Sequence, residues 1–386
     1  MTRLGIYVQV PFCQTKCTYC NFHTGVFSKE LYAPYVRAVC REIAEFPRLL
    51  GENGILNVPE ASVDTIYFGG GTPSLLEPAS LAQIIEAIRD SFPSQFEEVT
   101  LEADPETISP EKAAAWREAG FNRISMGVQS FDDAELRAAG RMHRRADVFG
   151  ATNILRAAGF ANLSFDLIAG LPHQTDRSWE ESVEQLLHLR PEHVSIYMME
   201  IDEESRLGLE VLQSGERYSA RALPSDDSMA NYYEHGCQQL AAAGYGHYEI
   251  SNWGLPGLES RHNLKYWRRE PYFGFGAGAH SFNGSQRWAN AHDPAAYADS
   301  VLRGRFPVEQ LESVTSSQAL EEELFLGLRQ LAGIDLVSIE AKYGTSVTPR
   351  IRELVAQGLI EREGPRLRLS PERLTVSNEV FVRLLE

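Results

Sequence analysis

The sequence has no apolar run near the roughly 18 residues a membrane span needs, so no segment is expected to cross a bilayer. It is also short of basic residues: 36 Lys and Arg face 53 Asp and Glu, giving a formal net charge of −17. A field of that sign repels phosphate backbones and argues against nucleic acid as a bulk partner. The first residues hold no secretory leader pattern, because the apolar stretch from Leu4 to Val8 is soon followed by Gln9, Pro11 and Cys13. A cytoplasmic chain that is not exported is therefore expected. No repeat of fixed period and no low-complexity segment is present. Cysteine is scarce as well. The count of five is odd, which excludes a complete set of intramolecular disulfides. None is needed, since a chain of 386 residues buries about three quarters of its unfolded surface.

What is present is alternation. Short apolar, β-branched runs at Gly5–Val10, Val63–Phe68, Glu97–Ala103, Arg123–Val128, Asn162–Ile168 and His193–Met199 read as parallel strands covered on both faces. Helical patterns lie between them at Leu31–Leu50, Pro78–Phe92, Pro110–Ala119, Ala146–Ala158 and Asp176–His188. Start signals such as Ser109-Pro110-Glu111 support these helices. Unusual residues follow the ends of several strands: cysteines after the first, Gly69-Gly70-Gly71-Thr72 after the second, and then Glu102, Gln129 and Asp166. A doubly wound sheet gathers its site at one switch point, whereas contributions from many strands fit the C-terminal mouth of a barrel. The predicted class is α/β, a partial (β/α)6 barrel.

The pattern changes after residue 250. Ser260–His280 is rich in aromatic residues, arginine and glycine and matches neither a strand nor a long helix. Helical patterns at Gln318–Leu331, Val337–Tyr343 and Pro349–Gln357, then a hairpin over Leu359–Ser370, read as a small winged-helix-like module. Residues 311–386 hold nine basic and twelve acidic residues. A DNA-binding winged helix is normally basic, so packing or a lid is the expected role. The predicted organisation is a barrel over 1–250, a connecting segment over 251–310 and the C-terminal domain over 311–386.

Cys13, Cys17 and Cys20 sit on one short loop. Three thiolates on a four-iron cluster leave one iron open, as a reactive centre requires. His23 follows at a spacing that also allows a closed Cys₃His zinc site, and both readings stand at this point. Cys40 and Cys237 read as buried helix residues.

The order Tyr7…Cys13-x-x-x-Cys17-x-x-Cys20, then Phe68-Gly69-Gly70-Gly71-Thr72-Pro73, resembles the radical S-adenosylmethionine (SAM) superfamily. That resemblance implies a [4Fe–4S] cluster on the three cysteines, with SAM on its open iron. Thr100–Pro105, Arg123–Phe131, Gly140–His143 and Phe165–Pro172 narrow it to oxygen-independent coproporphyrinogen III oxidases and HemW-type heme chaperones. By this resemblance Tyr7, Gly70, Gly71, Thr72, Glu102, Gln129, Arg141 and Asp166 contact SAM. Their chemistry agrees: Glu102 accepts from an ammonium, Arg141 forks onto a carboxylate and Asp166 holds ribose hydroxyls.

Three features favour the chaperone side. Phe22 stands where the oxidases are expected to carry a further cysteine, and the first predicted strand begins near residue 5, without the oxidase's N-terminal arm. Arg261-His262-Asn263-Leu264-Lys265-Tyr266-Trp267 matches the His-Asn-x-x-Tyr-Trp heme motif of the chaperones. A histidine can ligate heme iron, Tyr266 and Trp267 can cover a porphyrin face, and Arg261, Arg268 and Arg269 can meet its propionates. His280 is expected to be a packed histidine. Gln9 and Asn21 depart from the family's usual histidine and acid. The resemblance implies a chaperone that passes heme to acceptor haemoproteins, including respiratory ones at a membrane, and leaves a homodimer open. The alternative is a radical oxidoreductase decarboxylating a tetrapyrrole.

Overall fold

Six strands lie side by side in chain order: β1 (Thr2–Val10), β2 (Ala61–Gly70), β3 (Ser94–Ala103), β4 (Arg123–Gln129), β5 (Leu163–Ala169) and β6 (His193–Met198). All five neighbouring pairs are parallel. The order never reverses, so there is no switch point, and the inner faces converge as a partial barrel with helices outside. The chain was analysed as a computed structural model, which describes residues 2–52, 54–55 and 60–385.

The strands form where alternate side chains are buried on opposite faces, apolar on one and largely polar, as at Thr65, Arg123 and Ser125, on the other. Ile6, Val8 and Val10 of β1, Ile66 and Phe68 of β2, and Ile124 and Met126 of β4 are all buried. Outer helices follow at Tyr32–Glu52, Pro78–Ser91, Pro110–Ala119, Arg145–Ala157 and Asp176–Leu189, within about two residues of the sequence reading. Their starts are chemically explained. The Ser109 side chain accepts from the Lys112 amide ahead of Pro110, and the Thr175 side chain accepts from the Ser178 amide.

The segment expected to connect two domains is built into the sheet. Tyr272–Phe275 pairs parallel with β1, on the edge away from β2. His280–Phe282, Gln286–Asn290 and Val308–Ser313 continue that side antiparallel, while Asn252–Gly254 and Gly246–Glu249 extend the β6 edge. The expectation of no strand between 260 and 280 is thus corrected. A four-residue strand is too short for its periodicity to show, and its pairing partner lies more than 260 positions earlier.

The C-terminal region holds helices Ser316–Arg329, Leu336–Tyr343 and Thr348–Ala356 and the hairpin Ile360–Glu363/Arg366–Leu369. Ile334–Asp335 adds a third strand, giving the helix–strand–helix–helix–hairpin order of a winged helix, followed by Ser377–Leu385. Cys40 and Cys237 lie in helices as expected but are half-buried rather than buried. No helix among the described residues is long and apolar enough to cross a membrane.

Candidate cluster and cofactor mouth

The parallel strands give the barrel two ends, and the cysteine loop leaves β1 at the C-terminal one. Cys13, Cys17 and Cys20 are free thiols, each partly exposed. The loop is pinned at its middle: the Thr18 amide donates to Ala139 O at 3.0 Å, and the Leu207 amide donates to Thr18 O at 2.8 Å. Enclosure pushes the Cys13 thiol up to about 11, a shift reinforced by Cys20, Asp104 and Cys17 and opposed by Thr24. A thiol enclosed in this way calls for a positive metal centre to hold it as a thiolate.

The glycine run belongs to the same construction. A Cβ on Gly71 would lie 2.6 Å from Phe12 O, 2.9 Å from Val10 O and 3.0 Å from Cys13 Sγ. Gly70 has φ +107°, and a Cβ there would meet the Gln9 side chain at 2.4 to 2.5 Å. Only glycine brings this backbone so close to the loop. The Thr72 hydroxyl donates to Asp104 at 3.0 Å.

Glu102 accepts from the Tyr67 hydroxyl at 2.8 Å and from the Gly70 amide at 3.0 Å. Burial pushes its carboxyl up to about 7, with Asp166 and Asp104 adding to the shift against the two donors. Asp166 faces the same interior from β5. Burial raises it to about 6, eased by the neighbouring Ser195 hydroxyl and the charge of Arg123. Tyr7 donates to Gln9 at 2.8 Å, and its ring stacks on Tyr67 at 6.1 Å. Gln129, at the end of β4, takes φ +66°, a left-handed conformation that costs a non-glycine residue about 1–2 kcal/mol.

Arg141 reaches this mouth from the turn after a short helix, Asp133–Ala138. It pairs with Asp104, donates to Gly127 O at 2.9 Å and lies 3.5 Å from Cys17 Sγ. Asp104 is therefore a functional residue that the sequence reading quoted within its motif but did not single out. A signal was available, since Asp104 lies two residues beyond Glu102 at a strand end.

These residues fit a [4Fe–4S] cluster and SAM: three unpaired thiols on one loop, a backbone cradle that a methyl group would fill, and cationic and anionic side chains around it. No three His, Cys, Asp or Glu side chains among the described residues converge closely enough for a single ion. A four-iron cluster instead distributes its thiolates over separate irons. His23, the fourth ligand of the zinc alternative, packs its ring 4.1 Å from that of His292.

The His-Asn-x-x-Tyr-Trp motif lies at the opposite end. It forms the helix Arg261–Trp267, whose start rests on Glu98 near the beginning of β3: the amides of Arg261 and His262 donate to its two oxygens, each at 3.0 Å. Ser260 caps it by accepting from the Asn263 amide at 3.3 Å. His262 is 1% exposed, with Nδ1 bonded to Thr65 Oγ1 and Nε2 to the Tyr266 hydroxyl, both at 2.9 Å. Burial, with Lys265 and Arg123 nearby, lowers its pKa to about 3. As folded, His262 offers no free ring nitrogen. Trp267 faces the C-terminal region, with the Arg329 guanidinium 4.5 Å over its ring.

The arginines expected for propionates are partly committed elsewhere. Arg261 pairs with Glu97, Arg269 pairs with Glu322 at 2.7 Å, and Arg268 is exposed. His280, expected to be packed, is largely exposed at the start of its strand.

A partial barrel with three thiols, a glycine cradle and a paired Glu102/Asp166 at its mouth defines a protein of the radical SAM class. The superfamily's profile matches residues 7–186, and a profile of the HemN C-terminal domain matches residues 314–372. Heme chaperone HemW of Bacillus subtilis (strain 168) is 36% identical over 381 residues, covering 97% of this chain and 97% of that one. Heme chaperone HemW of Escherichia coli (strain K12) is 30% identical over 370 residues, covering 92% and 91%. The radical SAM enzyme coproporphyrinogen III oxidase (HemN) of Escherichia coli superposes with a TM-score of 0.82 over 99% of this chain and 90% of that one. At 20% identity this is a likeness of fold. The chain belongs to the HemW family within the radical SAM superfamily.

Proposed function

We propose that this protein is a cytoplasmic heme chaperone, binding heme and passing it to acceptor haemoproteins while carrying a [4Fe–4S] cluster and SAM at the barrel mouth. The observation that carries this reading is the 36% identity to a heme chaperone over 97% of both chains. Phe22, where the oxidases are expected to carry another cysteine, supports it.

Cys13, Cys17 and Cys20 would hold the cluster. When bound, it supplies an iron with an open coordination position and a source of one electron. Gly70 and Gly71 admit the amino-acid end of SAM, and Thr72 and Asp104 hold Arg141 at that end to meet its carboxylate. Glu102, its carboxyl raised to about 7 by burial, accepts from the ammonium. Asp166 accepts from ribose hydroxyls, while Tyr7 and Gln129 close the sides. At the other end Thr65 and Tyr266 hold the His262 ring inward, and Asn263 and Trp267 of the same helix complete the heme motif. Iron ligation by His262 requires the helix Arg261–Trp267 to turn and release Thr65 and Tyr266.

The test is anaerobic reconstitution with iron and sulfide, followed by hemin titration and a coproporphyrinogen turnover assay in parallel. Stoichiometric hemin binding without decarboxylation is expected. Robust turnover of coproporphyrinogen would overturn the chaperone reading in favour of the radical enzyme.

A further inference from the structure

Two of the chain's imidazoles, His23 and His292, meet beside the cysteine loop, with His280 on a neighbouring strand. His23 follows the loop and is exposed, His280 opens the strand His280–Phe282, and His292 follows the strand Gln286–Asn290. The rings of His23 and His292 lie 4.1 Å apart at 43°. The turn before His280 is tied to the His292 segment, with the Gly278 amide donating to Ala291 O at 2.8 Å and the Asn290 amide to Ala279 O at 3.0 Å. Partial burial lowers the His280 pKa, with His292, Arg287 and His23 adding to the shift.

None of the three imidazoles has a hydrogen-bond partner among the described residues, and His292 Nδ1 is buried without one. Several other histidines are bonded through at least one ring nitrogen, although His143 Nδ1 and His235 Nδ1 are also buried without a partner. His143 bonds Val128 O, His193 bonds Ser164 and Tyr248, His247 bonds Ile250 O, and His262 bonds Thr65 and Tyr266. The buried, unpartnered Nδ1 of His292, with the His23 ring beside it, indicates a ligand that takes imidazole nitrogen.

His23 and His292 border a cavity of about 350 Å³ also lined by Lys16, Phe22, Phe27 and Asp293 among others. Phe22, which lines the cavity, is 65% exposed and offers it a flat apolar face. A free metal ion fits poorly, since no three donor side chains converge on one point. A metalloporphyrin fits better. Its ring already fills four positions on the iron, so one imidazole suffices and the ring covers the apolar flank.

We propose that the cavity beside the cysteine loop receives heme, with His23 or His292 ligating the iron, Phe22 and Phe27 against the porphyrin face, and Lys16 meeting a propionate. Glu204 and Asp293 also line the cavity, so the propionates point toward Lys16 and solvent. This assignment rests on the heme-chaperone reading and deepens it by placing the first heme contact at the cluster end, while His262 stays closed at the other.

The test is histidine footprinting of the reconstituted wild-type protein with diethyl pyrocarbonate, read by peptide mass spectrometry without ligand, with hemin and with zinc. Hemin is expected to protect His23 and His292 and to leave His188, which packs on Phe149, unchanged. In parallel, hemin titration of His23→Gln/His292→Gln is expected to show at least about tenfold weaker binding, with His188→Gln as the control. Wild-type hemin binding with both histidines unprotected and the double variant unaffected would overturn the assignment and leave the chaperone reading standing. Protection by zinc but not hemin would make the cluster a free-ion site and overturn it too. Wild-type protein that binds no hemin would overturn both readings.

Discussion

The two ends of the barrel are built on opposite terms. At the floor, polar groups find partners within the chain: His262 with Thr65 and Tyr266, Glu98 with two backbone amides, and Lys265 with Asp64 at 2.8 Å. A few stay unpaired there, Arg123 Nε and Nη1 among them. At the mouth, the thiols make only long contacts, Cys17 with Arg141 at 3.5 Å and Cys20 with Thr24 at 3.8 Å. The His23 and His292 rings have no hydrogen-bond partner among the described residues, Gln129 is held in a strained conformation, and glycine replaces side chains where a ligand must approach. Groups that satisfy one another hold a fold together. Groups left waiting indicate what the fold receives.

Substitutions at each end should separate these roles, and the largest effect belongs to the mouth. Cys13→Ser/Cys17→Ser/Cys20→Ser is expected to abolish iron and sulfide incorporation while leaving the far-ultraviolet circular dichroism unchanged. Retained iron at wild-type stoichiometry would break the assignment of the loop.

Next comes Gly71→Ala. The added methyl meets two backbone oxygens that cannot swing away, so a loss of about 2–3 kcal/mol is expected in urea unfolding, together with lower cluster occupancy. An unchanged midpoint would show that the loop is looser than its geometry implies.

At the floor, His262→Gln is expected to cost about 1–3 kcal/mol through lost buried hydrogen bonds. The pH dependence has a definite sign. His262 stays neutral down to about 3 in the folded chain, whereas an unfolded histidine binds a proton below about 6.5. The unfolded state then holds more protons, so this contribution to stability falls as pH drops from 6.5 toward 3. The gap between wild type and His262→Gln should therefore narrow on acidification. A widening gap in urea titrations between pH 7 and 4.5 would contradict a buried neutral imidazole.

The smallest effect is expected from Asn21→Ala. It removes the 2.7 Å bond to Asp202 on the mouth's partly exposed rim and should cost about 0.5–1 kcal/mol in the same unfolding assay.

Much of this contrast was readable in the sequence, and its gaps have physical causes. The mouth announces itself because cysteines, glycines and acids are dense and their order follows the strands. Asp104 stayed hidden because its partner Arg141 is 37 positions away, and spacing cannot tell which of two nearby acids an arginine meets. The floor misled more. A string of arginines beside a histidine reads as an anion site, but Glu97 and Glu322, each more than 50 positions from the arginine it engages, take up Arg261 and Arg269. His262 carries the motif's expected identity, yet only the fold shows both its nitrogens engaged.

The most direct measurement of the central claim, that the mouth is built to hold a cluster with an open iron, is electron paramagnetic resonance. The reconstituted, dithionite-reduced protein would be examined before and after addition of SAM. A reduced [4Fe–4S] signal whose g values shift on addition is the expected result. A protein that assembles no iron–sulfur cluster and retains stoichiometric zinc, or a cluster whose signal ignores SAM, would contradict it.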